Sequence, residues 1–330
     1  SVSAGSDRLT FAMRSLSYPD LLAQSVALAA RQIGEPAWPD AIWQQERERI
    51  SASIRESDTR PATVAAKAFR AAVYGPHPYG LETTPASLAR ITTADMQQFY
   101  AQHVQPCRAK VSVVGDVTRA QTDALVTALL ARLPQRDAAR CQALPAVAEI
   151  QALSAPVNRS LAFESAQAHV SMGQPGYKRD DPDFFALTVG NYVLGGGGFV
   201  SRLTEQVREK RGLSYSVYSY FSPGLHAGPF AIGLQTRPDQ ARQAVEVARA
   251  VLKDFVEKGP THAELQAAKD NLTGGFALRL DDPRVLTGMF IGGLFPFLVS
   301  AITMRAVGDA AFEHLPAALR RPGPRGHQQR

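Results

Sequence analysis

Cysteine is nearly missing from this chain: Cys107 and Cys141 are the only two among 330 residues. Two are too few for a disulfide framework, and their surroundings lack the paired spacing of a zinc knuckle, so they read as unpaired thiols, with a disulfide between them as the alternative. The seven histidines (His77, His103, His169, His226, His262, His314 and His327) include no pair three to five residues apart. That spacing is what sets two imidazoles on one helical face for zinc. A zinc site made only from these residues would need long-range convergence, and none is expected in this chain. There is no Gly-x-Ser-x-Gly elbow, and no order of Ser, His and Asp that marks a hydrolytic triad. The run Gly195, Gly196, Gly197, Gly198 is not followed by Gly-Lys-Ser/Thr. A phosphate cradle needs glycines that follow a strand and open a helix. These follow an amphipathic helical pattern over Pro182–Leu194, the place where glycine ends helices. Four in a row exceed what a cap requires, which leaves a loop or a close backbone approach to a ligand.

Charge is equally unspecialised. The formal net charge is +6, with 20% charged residues and 45% hydrophobic ones, which suits a two-core soluble globule. Part of the excess lies in the Pro- and Gly-rich tail, at Arg320, Arg321, Arg325 and Arg330. A nucleic-acid binder would concentrate charge on one face of a recognisable module; no such module is present, and no nucleic-acid partner is expected. Val285–Met304 carries no charge, long enough in principle for a membrane span. Gly292, Gly293 and Pro296 interrupt it, and its counterpart in an internal repeat reads as an ordinary helix, so we expect a buried segment or an atypical tail instead of a span.

The repeat is the strongest organising signal. Phe11–Asp20 recurs as Phe230–Asp239, 219 positions later, each a short strand running into Pro-Asp and a long amphipathic helix. Val26 and Ala29 in the first helix answer Val245 and Ala248 in the second, and after a three-residue slip Ala41 answers Ala263, Arg47 answers Lys269 and Pro61 answers Pro283. A period this long means two copies of one domain. The second copy has about 75 residues of its own ahead of the strand and the first only about ten, so the first is expected to lack its opening sixty-odd residues. We divide the chain into an N-terminal domain at 1–136, a linker at 137–155 rich in Ala, Gln, Pro and Asp, and a C-terminal domain at 156–330 with an atypical tail after about 285. Strands are expected at Leu9–Leu16, Lys110–Gly115, Ala168–Gly173, Tyr215–Phe221 and Gly228–Thr236, and helices at Pro19–Ile33, Pro39–Arg55, Gln121–Leu133, Pro182–Leu194 and Ser201–Arg211. Thr92–Asp95 and Thr261–Glu264 have the pattern of capping boxes. Strands and helices do not alternate strictly, which points to an α+β fold.

One segment suggests chemistry. In Arg208-Glu209-Lys210-Arg211-Gly212-Leu213-Ser214-Tyr215 an arginine near a helix end, a glycine turn and a tyrosine entering a strand could converge. Guanidinium and phenol there would donate to a peptide carbonyl and stabilise developing negative charge. The alternative is a solvated helix charge and a core tyrosine.

Asn191–Gly198, Ser201-Arg202-Leu203 and Arg208–Tyr215 closely resemble the second domain of the pitrilysin/insulinase family of zinc metallopeptidases, in particular the bacterial branch related to mitochondrial processing peptidase. His77–Gly80, Val114–Val117, Gln167–Val170 and Gly173–Gly176 also match in order and spacing, and the resemblance covers about residues 1–285. It implies paired homologous α+β domains, each a mainly antiparallel sheet packed with helices, enclosing a cavity where an extended peptide adds as a strand. The family's H-x-x-E-H zinc motif would fall upstream of this chain. Where a ligand glutamate is expected after Glu46–Arg49, Ser53 is the closest match, and Glu56 is out of step. The resemblance therefore implies the non-catalytic partner of a two-chain peptidase. Zinc is expected in a homologous partner chain or a missing segment, and Arg208 and Tyr215 act on the substrate peptide, with Gly195–Gly198 as a substrate-binding loop. The remaining readings are a catalytic zinc endopeptidase whose metal segment lies elsewhere and a structural subunit of the same fold. Family resemblance slightly favours a bacterial periplasm over the cytoplasm.

Overall fold

The computed structural model describes residues 1–134 and 143–279. The described residues form two compact units. One is drawn from Ser1–Arg55 and Thr83–Ala146, the other from Glu56–Glu82 and Val147–Gly275. The units thus interleave along the chain, with residues 56–82 grouping with the later half.

The first unit opens with the hairpin β1 (Val2–Ala4) and β2 (Leu9–Phe11), antiparallel with Ser3 opposite Thr10. Helices α1 (Pro19–Gly34) and α2 (Asp40–Ser57) follow. Pro19 at the first turn of α1 suits its fixed φ and missing N–H. Helix α3 (Pro61–Tyr74) belongs to the second unit, and the first resumes with α4 (Pro85–Ala89), α5 (Thr93–His103) and α6 (Arg119–Leu130). The Thr92 hydroxyl accepts from Asp95 N while the Asp95 carboxylate accepts from Thr92 N, the capping box read from the sequence. Helices α1 and α6 pack on each other around Val26, Ala30 and Ile33. Tyr100 Oη donates to Ile33 O at 2.7 Å.

The second unit carries the main core. Its sheet has the order β3 (Ala168–Pro175), β5 (Pro229–Thr236), β4 (Ser216–Phe221), antiparallel throughout. Alternation along β5 sends Phe230, Ile232 and Leu234 into a cluster with Leu187, Leu203, Val207, Ala248 and Phe255. These come from α7 (Phe184–Asn191), the turns after it and α8 (Ala241–Lys258). The last helix among the described residues is α9 (His262–Arg279), which adds Leu265 and Ala268. Helix α3 packs against β3. Arg70 of α3 acts on the Tyr220 phenol of β4, whose pKa burial raises.

Three expectations need correcting. Lys110–Gly115 forms no strand: apolar spacing marked it as buried, but no described strand pairs with it, and Val111 is exposed. Of Leu9–Leu16, only Leu9–Phe11 is extended and paired. Cys107 is not a thiol but is disulfide-bonded, and the chain's other cysteine, Cys141, lies outside the described residues. Val285–Met304 also lies outside them. Among the described residues no helix is long and apolar enough to cross a membrane.

Arg202 fixes the turn region to α8 and α9. Its guanidinium donates to both Glu264 carboxylate oxygens, at 2.6 and 2.7 Å, and to Gly259 O at 3.0 Å, while its Cζ lies over the Phe255 ring. Arg202, with Thr261, brings the Glu264 carboxyl down to about 2 against desolvation. A depressed carboxyl stabilises the fold above its unfolded pKa, and that contribution disappears as pH falls through the folded value. Glu264→Gln should cost roughly 1–2 kcal/mol at pH 7, because the partly accessible Glu264 carboxylate is screened by solvent. Urea unfolding at pH 7 and at pH 2 checks this: the variant and wild type should differ at pH 7 and converge at pH 2.

Candidate functional site

Helix α7 does not end as a regular α-helix. It widens into a π-helical turn at Tyr192–Gly196, and a second π-helical turn spans Thr204–Glu209. Such widenings recur at functional sites because they re-aim the chain by one residue. The sequence periodicity of Pro182–Leu194 and Ser201–Arg211 indicated helix in both places but not this irregularity.

The first turn lies against β4. Asn191 Nδ2 donates to Ser219 O at 3.1 Å, and Ser219 Oγ donates to Asn191 Oδ1 at 2.7 Å. Gly195 approaches the same residue so closely that a Cβ there would stand 2.5 Å from both Ser219 N and Ser219 Oγ. Added Cβ atoms at Gly196 and Gly197 would meet Asn191 and Tyr192, and Gly198 has φ +62°. The chain then makes a 3₁₀ turn at Gly198–Val200, leaving Phe199 71% exposed. Thus the glycine run is a packed passage from helix to turn.

The second turn carries Arg208. Leu203 and Val207, both fully buried, anchor it in the core. It closes with Gly212 at φ +60°, Gly212 N donating to Arg208 O and Leu213 N to Val207 O. This left-handed glycine ending is the one its position after a helix calls for. Beyond it the chain is pinned to β5: Thr236 Oγ1 donates to Leu213 O at 2.5 Å, and the Ser214 hydroxyl lies 2.6 Å from Gln235 O. Tyr215 emerges from this pinned loop 81% exposed. The Arg208 Cζ lies 5.0 Å from the Tyr215 ring centroid and 4.7 Å from that of Phe199. Among the described residues the guanidinium donates no hydrogen bond; its polar contact is Nε to Glu209 Oε1 at 3.4 Å. Arg202, six residues earlier, is the opposite case, with its N–H groups engaged by Glu264 and Gly259. Arg208 therefore presents a charged N–H edge, next to an exposed phenol, that can take a carbonyl or carboxylate oxygen.

The structure brings Arg208 and Tyr215 together as the Gly212 turn suggested, and adds Phe199, which the sequence reading passed over. It also assembles a polar cluster from four distant segments. Glu149 accepts from Lys178 Nζ at 2.5 Å and lies 3.2 Å from His226 Nδ1. Burial works to raise the Glu149 carboxyl, but Lys178 and His226 outweigh it and hold the pKa below the ordinary value. Tyr79 Oη accepts from His226 N, and the His77 and His226 rings lie 5.0 Å apart. This cluster does not suit zinc. His77 Nδ1 already accepts from Tyr79 N, and the Glu149 carboxylate is shared by a lysine and a histidine. Among the described residues no group of three His, Cys, Asp or Glu is placed to hold a metal. Ser53 is exposed on α2, and Glu56 pairs with Arg60 at 2.5 Å.

A family model described as peptidase M16 inactive domain matches residues 90–272, and one described as inorganic H+ pyrophosphatase matches residues 241–321. An uncharacterised zinc protease of Streptomyces coelicolor is 30% identical over 73% of this chain and 53% of its own length. A Helicobacter pylori protein named a non-peptidase homolog is 34% identical over 59% of this chain and 44% of its own. The chain thus spans about half the length of the curated relatives it matches. Among solved structures, a peptidase M16 inactive domain from Pseudomonas fluorescens superposes with a TM-score of 0.83 at 30% identity, covering 92% of this chain and 72% of that one.

The Gly195 contact gives a direct test. Gly195→Ala should destabilise the chain by about 1–3 kcal/mol, because the methyl must displace strand backbone and not a flexible side chain. Chemical denaturation of the purified variant measures it, and an unchanged midpoint would contradict the packed-passage account.

Proposed function

The chain belongs to the peptidase M16 family, and from that premise we propose that it is a non-catalytic, substrate-positioning subunit of a two-chain zinc peptidase. The observation that carries the proposal is the Arg208 edge, which donates no hydrogen bond among the described residues, with the exposed Tyr215 phenol alongside. The inactive-domain description of the matching family model and the non-peptidase name of the Helicobacter pylori relative support it. So does the donor set: the one histidine-rich cluster among the described residues is poorly matched to zinc. In this reading zinc chemistry belongs to a homologous partner chain.

Within such an assembly the role of this chain is electrostatic. As a peptide carbonyl is attacked, negative charge grows on its oxygen. Arg208 and Tyr215 are donors fixed in place beforehand, Arg208 by buried Leu203 and Val207 and Tyr215 by the Leu213–Ser214 pinning to β5. Donors that need not reorganise as charge develops stabilise the transition state more than the ground state. Gly195–Gly198 contributes indirectly, by setting the turn that carries Phe199 against Arg208.

A second reading has one observation in its favour: the relatives named zinc proteases are about twice as long as the stretch matched here, leaving room for a metal segment in a longer chain. Elemental analysis separates the two. The purified chain should bind no stoichiometric zinc and cleave no peptide alone; about one zinc at a defined site would favour the catalytic reading.

The positioning role is tested in the assembled enzyme. Arg208→Ala and Tyr215→Phe should each lower peptide turnover by about two to three decades, with assembly intact. Together they should lose much less than the sum, because they act as a unit. Wild-type turnover from assembled variants would reject the role and favour a purely structural subunit.

A further inference from the structure

Phe199 stands beside the Arg208–Tyr215 pair with a ring contact of its own. It lies at the tip of the Gly198–Val200 turn, 71% exposed, and its ring is as close to the Arg208 guanidinium as the Tyr215 ring is. A guanidinium that meets aromatic faces keeps its in-plane N–H groups available for hydrogen bonding. Among the described residues nothing else restrains the Arg208 head group except Glu209 at 3.4 Å. An arginine side chain without such contacts keeps many rotamers, and ordering it on binding weakens the complex. Exposure has a second consequence. An aromatic ring left open to water immediately beside a hydrogen-bond donor gives an apolar surface to whatever side chain accompanies the bound carbonyl.

Resting on the peptide-positioning reading above, we infer that Phe199 is a positioning and specificity residue. With Tyr215 it clamps the Arg208 guanidinium by ring contact, and its exposed surface selects peptides with an apolar or aromatic side chain next to the carbonyl that Arg208 holds. The clamp is joined through backbone to the glycine run, since the π-helical turn at Tyr192–Gly196 and the Gly198 conformation set where Phe199 emerges. Leucine at this position would keep the apolar surface and lose the ring contact. Tryptophan would keep both.

The test uses the full chain with isotope-labelled arginine side chains. Two probes are titrated, N-acetylated and C-amidated Ala-Ala-Phe-Ala-Ala and Ala-Ala-Asn-Ala-Ala. In the wild type the Arg208 Nε–Hε resonance should show a ring-current shift. The phenylalanine probe should bind about tenfold more tightly than the asparagine probe, the scale of selectivity an apolar contact supplies. Phe199→Ala should move the resonance toward that of a free arginine and abolish the preference, while residual binding remains common to both probes. Phe199→Trp should restore both signals, and Phe199→Leu should restore the preference only. If Phe199→Ala leaves the resonance in place, or leaves the preference intact, the inference about Phe199 is wrong while the Arg208–Tyr215 reading stands. If the wild type shows the clamp resonance but binds neither probe, the specificity role of Phe199 is wrong, while the peptide-positioning reading is decided by turnover in the assembled enzyme.

Discussion

A missing side chain at position 195 is the constraint from which the geometry of the site follows. With only hydrogen there, the end of α7 can lie directly on the edge of β4 at Ser219, and Asn191 can exchange two hydrogen bonds with that residue. An edge strand that would otherwise offer free backbone groups is covered at that point. The same contact sets where the chain leaves the helix, and therefore where the Gly198–Val200 turn stands relative to the buried anchors Leu203 and Val207. Phe199, Arg208 and Tyr215 meet because two irregular helical turns converge on one strand.

Two neighbouring arginines have opposite surroundings. Arg202 is largely buried, with Glu264, Gly259 and the Phe255 ring around it, and it ties the turn region to α8 and α9. Arg208 has ring faces beside it and an open N–H edge. Acceptors surround Arg202, whereas the Glu209 carboxylate at 3.4 Å is the polar group beside Arg208 among the described residues. Under the function proposed above, that open edge meets a carbonyl presented by a peptide.

The sequence was informative wherever the signal is local. The capping box at Thr92–Asp95 and the strand-to-helix passage at Phe230–Asp239 appear where short-range chemistry predicts them, whereas in Phe11–Asp20 the helix forms but the strand stops at Phe11. The approach of Arg208 to Tyr215 was also legible, because Gly212 between them signals a reversal. Lys110–Gly115 was misread because apolar spacing reports burial tendency but not the presence of a pairing strand. The π-helical turns were invisible, since a one-residue widening hardly alters helical periodicity. Phe199 and the cluster of His77, Glu149, Lys178 and His226 were missed for another reason: tertiary packing alone brings such distant residues together.

The central claim is that Arg208 and Tyr215 are donors to a substrate carbonyl. The most direct test is a structure of this chain assembled with a zinc-bearing homologous partner and an uncleaved peptide. The account predicts an Arg208 guanidinium nitrogen and the Tyr215 hydroxyl within about 2.7–3.1 Å of one peptide carbonyl oxygen. A peptide bound in the assembly with Arg208 and Tyr215 both facing solvent, away from its backbone, would contradict it.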